Sequence, residues 1–220
     1  MKAYERRDDL TTSKTKARVT KAVKPPQKRG LQATELIFRA ALEHADRLGL
    51  EAVTIEGLAS HLGIAKTTIY RRWPNFASLI TDAVLSDVTS MAPLHEYPSA
   101  RQTFEVQMKQ LAGIYAGPRG RLIRSVMGRA QLDPELVKQI GERWIEPGKE
   151  MSRAILRKGV VRGEIKANRD PDVILTCLYG AIYHRFLVPY KVSRTAESIE
   201  VFVERVLDIV FDGVSTGIEK

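Results

Sequence analysis

The sequence predicts an all-α fold of about nine helices, and three observations support this prediction. Apolar residues recur at intervals of three and four positions along most of the chain, which is the spacing of one face of an α-helix. Asp133 with Pro134, and Asp170 with Pro171, each provide a capping side chain followed by a proline at the first helical position. No segment alternates apolar and polar residues as a half-buried strand does. A chain of 220 residues is long enough for a small head and one larger helical core.

The first 29 residues are strongly basic. They contain ten Lys or Arg residues and three Asp or Glu residues, so they carry a net charge of +7 out of a formal +9 for the whole chain. The segment has few large apolar residues, and Pro25 and Pro26 stand shortly before the first predicted helix. Low hydrophobicity with high net charge predicts that residues 1–29 form a disordered arm in the free protein.

Residues 54–73 have the pattern of a helix-turn-helix unit, and an amphipathic helix at about residues 31–48, which stops at Gly49, precedes them. Thr54 can cap the first helix of the unit with its hydroxyl group. Gly63 falls where a helix ends in a left-handed residue. The apolar residues predicted to be buried here are Ile37, Ala40, Ala41, Ala45, Leu48, Ile55, Leu58, Ala59 and Leu62.

The second helix of the unit, at about residues 66–73, is short, basic and rich in hydroxyl groups. A tight glycine-containing turn followed by such a helix is the geometry that places a recognition helix in the major groove of DNA. The alternative is an ordinary helical hairpin within a larger bundle. A basic arm beside a DNA-binding unit can add phosphate contacts or enter the minor groove, although it can also be a solvated tail with no role.

The rest of the chain continues as helices separated by proline and glycine signals. Gly117 with Pro118 separates two of these helices, and Pro147 is expected to kink or split another. The predicted segments are residues 75–90, 103–115, 121–131, 134–145, 151–161, 173–188 and 196–211.

Residues 31–85 resemble the N-terminal DNA-binding domain of the tetracycline-repressor (TetR) family of bacterial transcription regulators. The residues that stand at the spacing of the family are Gly63, Thr68, Tyr70, Trp73 and Leu79. The chain departs from the family pattern at Ala65, where Ser is frequent, so the recognition helix starts without a side-chain cap. It also departs at Phe76, where the family usually has a Lys that contacts a phosphate.

The resemblance and the residue types together assign roles to the polar side chains of the unit. The residues expected to contact base edges are Lys66, Thr67, Thr68 and Arg71, the last as a reader of guanine. The residues expected to hold phosphates, and so to fix the register without reading sequence, are Thr54, Tyr70 and Arg72.

Residues 162–188 resemble the segment that precedes and forms the penultimate helix of TetR-type ligand-binding and dimerisation domains. In the family the last two helices pair with those of a second subunit in a four-helix bundle. There is also an independent reason to expect a dimer, because one short recognition helix reads too few base pairs for useful specificity. The candidate interface residues, which could instead fill the core of a single chain, are Leu175, Leu178, Ile182, Phe186, Phe202, Val206 and Ile209.

The resemblance also implies an effector pocket among the central helices. Polar-tipped or adaptable side chains near apolar faces suit a largely apolar molecule, although each of them could be a structural core residue. The candidates are Tyr115, Arg124, Met127, Gln131, Trp144, Met151, Tyr179, Tyr183 and His184. In the family, effector binding tilts the fourth helix and changes the separation of the two recognition helices, and the corresponding lever is expected at about residues 75–90.

The sequence contains no enzyme signature. The four histidines are scattered, and HExxH, GxSxG, phosphate-binding glycine loops and dinucleotide fingerprints are missing, so no catalytic residue, cofactor or metal site is predicted. Cys177, the single cysteine, lies in an apolar run and is expected to be buried. With no secretory signal and no run long enough to span a membrane, the chain is expected to be cytoplasmic.

The sequence therefore predicts three regions and one function. Residues 1–29 form the arm, residues 30–75 the helix-turn-helix domain, and residues 76–220 the effector-binding and dimerisation domain. The predicted function is a homodimeric transcriptional repressor that a small-molecule effector releases from a palindromic operator in double-stranded DNA. The alternative is an effector-independent or architectural DNA-binding protein whose C-terminal domain is packed solid.

Overall fold

Helices form where the apolar spacing predicts them. The computed structural model describes residues 28–188 and 198–214, and within these ranges it contains ten α-helices and no strand. A π-helical turn, Gly141–Ile145, joins the seventh helix to the eighth without a break. If these two helices are counted as one, the described ranges contain the predicted number of about nine. The prediction of an all-α fold is confirmed. The helices are α1 (Lys28–Leu48), α2 (Ile55–Leu62), α3 (Lys66–Tyr70), α4 (Phe76–Met91), α5 (Ala100–Ala116), α6 (Pro118–Ala130), α7 (Pro134–Ile140), α8 (Glu146–Val161), α9 (Pro171–Leu187) and α10 (Ile199–Val214).

Capping side chains begin several of these helices. The carboxylates of Asp133 and Asp170 accept hydrogen bonds from backbone N–H groups in the first turns of α7 and α9, as their position before a proline predicts. Thr54 and Asn75 cap α2 and α4 by accepting hydrogen bonds of 3.1 and 2.8 Å from N–H groups three residues further on. The N-terminal arm lies outside the described residues up to position 27, and its last two residues belong to α1.

Most helix boundaries lie within a few residues of the prediction, and two of the differences have a clear physical cause. Pro147 does not split its helix but stands in the first turn of α8, directly after the π-helical turn. A π-helical turn interrupts the usual i→i−4 ladder, so the missing N–H of the proline is accommodated there. The recognition helix α3 ends at Tyr70 rather than at residue 73, because the chain tightens where Arg72 and Trp73 both donate to the Ile69 carbonyl.

The helices pack as an N-terminal head and a larger C-terminal bundle that share one continuous core. The head consists of α1, α2 and α3, packed around side chains such as Ile37, Leu58 and Ile69. Helix α4 contacts α1 on the side of the head and α5, α6 and α7 on the side of the bundle. Helix α5 occupies the centre of the bundle, where it contacts α6, α8, α9 and α10. Helix α4 is therefore the main element that joins the head to the bundle, beside an ion pair of 2.9 Å between Arg119 of α6 and Asp46 of α1.

The connection between α5 and α6 brings two backbone segments very close together. Gly120, in the first turn of α6, lies against the carbonyl group of Tyr115 near the end of α5. A Cβ atom at position 120 would stand 1.9 Å from the Tyr115 carbonyl oxygen, which is far inside van der Waals contact. This hairpin therefore requires a residue without a side chain at position 120.

Candidate nucleic-acid interface and ligand cavity

The turn between α2 and α3 depends on Gly63. Its φ of 64° ends α2 in the left-handed conformation, which glycine adopts without steric cost. The N–H of Ile64 then donates to the Ala59 carbonyl at 3.0 Å, so the chain turns sharply into α3. Helix α3 has only five residues, and its one fully buried side chain is that of Ile69. Trp73, also buried, follows α3 and supports it.

The residues predicted to contact DNA are mostly available to do so. Thr54, Lys66, Thr67, Tyr70, Arg71 and Arg72 are exposed, and Thr68 is half-buried. Helix α3 and the turn after it, residues 66–72, contain three cationic side chains and no acidic one. This charge suits a surface that faces the phosphates beside a groove.

Two of these side chains have partners within the chain. The Tyr70 hydroxyl donates to the Glu56 carboxylate at 3.0 Å, and this hydrogen bond raises the pKa of the phenol. The Arg72 guanidinium donates to the Thr34 hydroxyl at 2.5 Å and to the Gly30 carbonyl at 3.5 Å. Neither acceptor neutralises the charge of Arg72, so this side chain is held against α1 while it keeps its attraction for a phosphate. A phosphate contact by the Tyr70 hydroxyl would require that hydroxyl to leave Glu56.

Helix α3 begins without a side-chain cap, and this predicts a gain from serine at position 65. Ala65 has the extended backbone of an N-cap residue, but no side-chain oxygen accepts an N–H from the first turn. We expect Ala65→Ser to stabilise the chain by about 0.5–2 kcal/mol, because the hydroxyl would accept one of these orphan N–H groups. Thermal unfolding followed by circular dichroism measures the gain. Ala65→Val, which adds bulk without an acceptor, serves as control, and equal melting temperatures for the two variants would contradict the prediction.

The predicted dimer-interface residues divide between core and surface. Leu175, Leu178 and Ile182 are 1%, 0% and 0% exposed, so they fill the core of a single chain, and their assignment to an interface is wrong. The physical reason is that α9 packs this face against α5. Phe186, Phe202 and Val206 are half-buried, with the two phenyl rings in contact at 5.9 Å, and Ile209 is 77% exposed.

Cys177 is exposed, so the expectation that it is buried is wrong. Helix α9 is apolar on all sides, and the run around Cys177 therefore does not reveal which of its residues face the core. The exposed flank of α9 also contains Val173, Thr176 and Gly180.

The bundle contains a cavity of about 490 Å³ that opens to solvent, since lining residues such as Met151, Thr176 and Tyr183 are exposed. Its walls come from the C-terminal end of α4, from α5 and α6, from the π-helical turn, and from α8 and α9. The residues predicted to contact an effector that do line it are Tyr115, Met127, Trp144, Met151, Tyr179 and Tyr183. This volume falls in the range of small-molecule sites, which are about 300–1,000 Å³.

Three residues predicted to contact an effector do not line this cavity, so the cavity gives their assignment no support. Arg124 donates to the Phe186 carbonyl at 3.2 Å and so ties α6 to the end of α9. Gln131 is exposed directly after α6, and His184 is exposed on α9. Helical spacing identified the right helices, but each of these side chains lies on a flank that faces away from the cavity.

The cavity contains polar groups that sequence reasoning missed. Gln107, which is 8% exposed, donates from Nε2 to the Ala92 carbonyl at 3.0 Å, and its Oε1 has no partner among the described residues. The Ser152 and Tyr179 hydroxyl oxygens are 3.2 Å apart. A signal for Gln107 was present, since it is a polar residue among the apolar positions of a predicted helix. Ser152 offered no such signal.

Burial raises the pKa of the Tyr115 phenol, and the neighbouring phenols of Tyr179 and Tyr183 raise it further. Burial also raises the pKa of Tyr179, although the hydrogen bond from Ser152 acts in the opposite direction. Tyr115 and Tyr179 are therefore neutral hydrogen-bonding groups near physiological pH and add no negative charge to the cavity.

A polar network that we call the Asp82 cluster lies between the head and the cavity; it consists of Trp73, Asp82, Gln139 and Arg143. The Asp82 carboxylate, 15% exposed, accepts hydrogen bonds from Trp73 Nε1 at 2.8 Å, Gln139 Nε2 at 2.7 Å and the Arg143 guanidinium at 2.5 Å. Trp73 follows the recognition helix, Asp82 lies on α4, and Arg143 lies on the π-helical turn and also lines the cavity. One carboxylate thus connects the head, α4 and the cavity wall.

Within residues 28–188 and 198–214, no group of three His, Cys, Asp or Glu side chains is placed to hold a metal ion. In the same ranges, no helix has the length and the hydropathy needed to cross a bilayer.

Comparisons with known proteins match both parts of the chain. The family described as bacterial regulatory proteins, tetR family, matches residues 37–82, and the family described as tetracyclin repressor-like, C-terminal domain, matches residues 96–210. The chain is 32% identical to the uncharacterized HTH-type transcriptional regulator YdeS of Bacillus subtilis over 165 residues, which are 73% of this chain and 83% of that protein.

Solved structures show the same fold. The TetR family transcription regulator SCO0332 has a TM-score of 0.69 at 24% identity and covers 83% of this chain and 97% of its own. The transcriptional regulator FadR from Bacillus subtilis, solved in complex with stearoyl-CoA, has a TM-score of 0.60 at 18% identity and covers 81% of this chain and 98% of its own.

Proposed function

The chain belongs to the TetR family of bacterial transcription regulators, and from this premise we propose that it is a homodimeric repressor that a small molecule releases from a palindromic DNA operator. The observation that carries the proposal is the exposed surface of α3 and of the turn after it, where Lys66, Thr67 and Arg71 surround a helix anchored by one buried residue. Residues 30–75 are the proposed DNA-binding domain, and residues 76–220 the proposed effector-binding and dimerisation domain.

The last two helices support the proposal of a homodimer. Val173 on α9, and Val201 and Ile209 on α10, are 58%, 40% and 77% exposed, which leaves apolar side chains in water on both helices of a single chain. Cys177, a small exposed residue one turn after Val173 on α9, would let a partner helix approach closely. A dimer would also present two copies of a recognition helix that is too short to select a site alone.

The cavity supports the proposal of release by a small molecule. Val88 and Thr89, near the C-terminal end of α4, line it, whereas the N-terminal end of α4 follows the head. A ligand that favours one orientation of α4 would therefore change the orientation of the head. A coupling of about 1–3 kcal/mol changes DNA affinity about 5–150-fold. The neighbour solved with stearoyl-CoA supports the idea that a protein of this fold can hold a ligand.

The experiment that tests the proposal is selection of bound sequences from a random DNA pool by the full-length protein at near-physiological salt. We expect a palindromic motif, because a symmetric dimer reads two equivalent half-sites. Sedimentation of the complex with the selected site would then give two chains per DNA. Binding without any motif that disappears as salt rises would reject the repressor and leave a non-specific DNA-binding protein.

Two neighbouring arginines predict different mutational effects on the selected site. Arg71→Ala should reduce affinity for the selected site by about 1–3 kcal/mol and relax the preference at one base pair of each half-site, because the side chain is proposed to read a guanine. Arg72→Ala should weaken binding to matched and mismatched sites alike, because its proposed partner is a phosphate. Fluorescence anisotropy on matched and singly mismatched duplexes measures both effects. If each variant lost as much affinity on the matched duplex as on the mismatched one, and the two losses were equal, the assignment of Arg71 to a base and Arg72 to a phosphate would be wrong.

A further inference from the structure

We propose that the cavity binds a molecule with an apolar body and one anionic group, and that this group takes Arg143 from the Asp82 carboxylate. The inference rests on the proposed function for its regulatory consequence, and it adds the chemical class of the ligand and the contact through which the ligand acts. It follows from the charges and the apolar character of the cavity wall, and from the position of the Asp82 cluster.

The charged side chains of the cavity wall have one sign. Among the described residues that line the cavity, the charged ones are Arg143 and Lys149, and no carboxylate stands with them. Arg143 is 58% exposed, and the acidic neighbours of Lys149 are Glu146, at 4.0 Å, and Asp172, neither of which lines the cavity. The two cations lie three residues before and three residues after Glu146, close to the start of α8. A wall with two cations favours a ligand with an anionic group, because a charge removed from water needs a partner of opposite sign.

The remainder of the wall requires an apolar body. Leucine, isoleucine, methionine and aromatic side chains provide most of it, and the buried phenols are neutral. The Gln107 Oε1 atom has no hydrogen-bond partner among the described residues, but it is shielded from a water-sized molecule and so presents no acceptor to the cavity.

The anionic group of the ligand would contact the Arg143 guanidinium, which already forms an ion pair with Asp82. Arg143 donates to Asp82 at 2.5 Å, and the same carboxylate holds Trp73 at 2.8 Å. Arg143 cannot direct the same N–H bonds to two anions at full strength, so a ligand anion competes with Asp82 for it. Asp82 is only 15% exposed, and the loss of its cationic partner leaves a half-buried negative charge supported by neutral donors alone.

The consequence for DNA binding follows from where the cluster lies. Asp82 and Trp73 connect α4 with the segment that follows the recognition helix, and Arg143 connects both to the cavity wall. Removal of Arg143 from the cluster weakens one of the contacts that hold the head against the bundle, beside the packing of α1 on α4 and the ion pair between Arg119 and Asp46. Thermodynamic linkage makes this effect reciprocal: the factor by which the ligand lowers the affinity for DNA is also the factor by which bound DNA lowers the affinity for the ligand.

The test uses two fluorescent probes that differ by one charge: anilinonaphthalenesulfonate, and phenylnaphthylamine, which has the same rings and amine N–H without the sulfonate. Binding is titrated on the full-length protein without DNA. We expect the sulfonate to bind at least about tenfold more tightly than the neutral probe. Arg143→Ala should lower this ratio at least about threefold, and the remaining preference would come from Lys149. Arg101→Ala, which breaks a 2.6 Å ion pair with Asp208 between α5 and α10, is the matched control and should leave the ratio unchanged.

If the ligand anion competes with Asp82 for Arg143, removal of the Asp82 charge should tighten binding of the sulfonate probe. Asp82→Asn keeps the shape of the side chain but frees Arg143, so it should tighten sulfonate binding at least about threefold and leave the neutral probe unaffected. Should this variant fail to fold by circular dichroism, Asp82→Ser replaces it. Equal affinities of the wild type and the Asp82 variant for the sulfonate would overturn the competition. A ratio that is insensitive to Arg143→Ala would overturn the ligand class.

A second measurement separates this inference from the proposed function. On the DNA site obtained by selection, the sulfonate should release the wild type and should release Asp82→Asn much less, because the contact it breaks is already absent. If no DNA site is selected, the proposed repressor function is rejected, whereas the proposed ligand class is still tested by the ratio of the two probe affinities. A selected site from which the sulfonate releases both variants equally would reject the Asp82 cluster as the route of coupling.

Discussion

Gly120→Ala is expected to destabilise the protein by about 3 kcal/mol or more, which would lower the melting temperature of a chain of this length by roughly 6 °C or more. The Cβ atom would lie 1.9 Å from the Tyr115 carbonyl oxygen, and the obstacle is backbone rather than the end of a flexible side chain. To relieve the clash, α5 and α6 would have to separate at their connection. Both helices form walls of the cavity, so probe binding should be lost together with stability.

A matched control lies on the same helix. Gly128 of α6 has no atom within 4 Å of the position its Cβ atom would occupy, and it is exposed. Gly128→Ala should therefore stabilise the protein by roughly 0.5–1 kcal/mol, because alanine loses less conformational entropy in a helix than glycine does. Chemical denaturation of both variants measures the contrast. A Gly120→Ala variant as stable as the wild type would contradict the close approach of α5 and α6.

Ile69→Ala is expected to cost about 2–5 kcal/mol and to abolish sequence-specific DNA binding. Helix α3 has five residues and no side-chain cap, so it is far too short to be stable by itself. Ile69 is its single fully buried residue, at 0% exposure, and therefore provides most of the packing that orders the recognition helix. The truncation leaves a cavity beneath the surface that is proposed to contact DNA, although it removes no proposed contact.

The control for this prediction is Ile69→Val, which removes one methyl group and should cost about 0.5–1.5 kcal/mol while preserving the selected site. Urea denaturation and anisotropy on the selected duplex measure stability and binding on the same samples. If Ile69→Ala bound the selected site as the wild type does, the recognition surface would have to lie elsewhere than on α3.

Local features of the chain could be predicted from the sequence because their causes are local. Thr54 and Gly63 mark the ends of α2, and Asp133 and Asp170 begin their helices, since a cap depends only on residues within one turn. The all-α class followed from the apolar spacing for the same reason. The arm at residues 1–27 remains a prediction, because it lies outside the described residues.

The candidate site was less predictable because its walls come from helices far apart in the sequence. Helix α9 is apolar on every side, so the sequence did not distinguish Leu178, which is core, from Cys177, which is exposed. Arg143 reaches both the cavity and Asp82 only because a π-helical turn changes the helical register at that point, and no spacing rule signals such a turn. The Asp82 cluster joins residues up to 70 positions apart, and only the tertiary packing reveals it.

The cavity is also a gap in the packing of the bundle, and this gives it a practical use that needs no knowledge of the DNA site. A molecule that fits the folded chain and not the unfolded one shifts the unfolding equilibrium by mass action, by about 2.7 kcal/mol at a concentration one hundred times its Kd. For a chain of this size such a shift raises the melting temperature by roughly 5–10 °C. A compound library can therefore be ranked on the purified protein by thermal shift. A compound that binds would fill the gap in the packing of the bundle and so stabilise the folded chain.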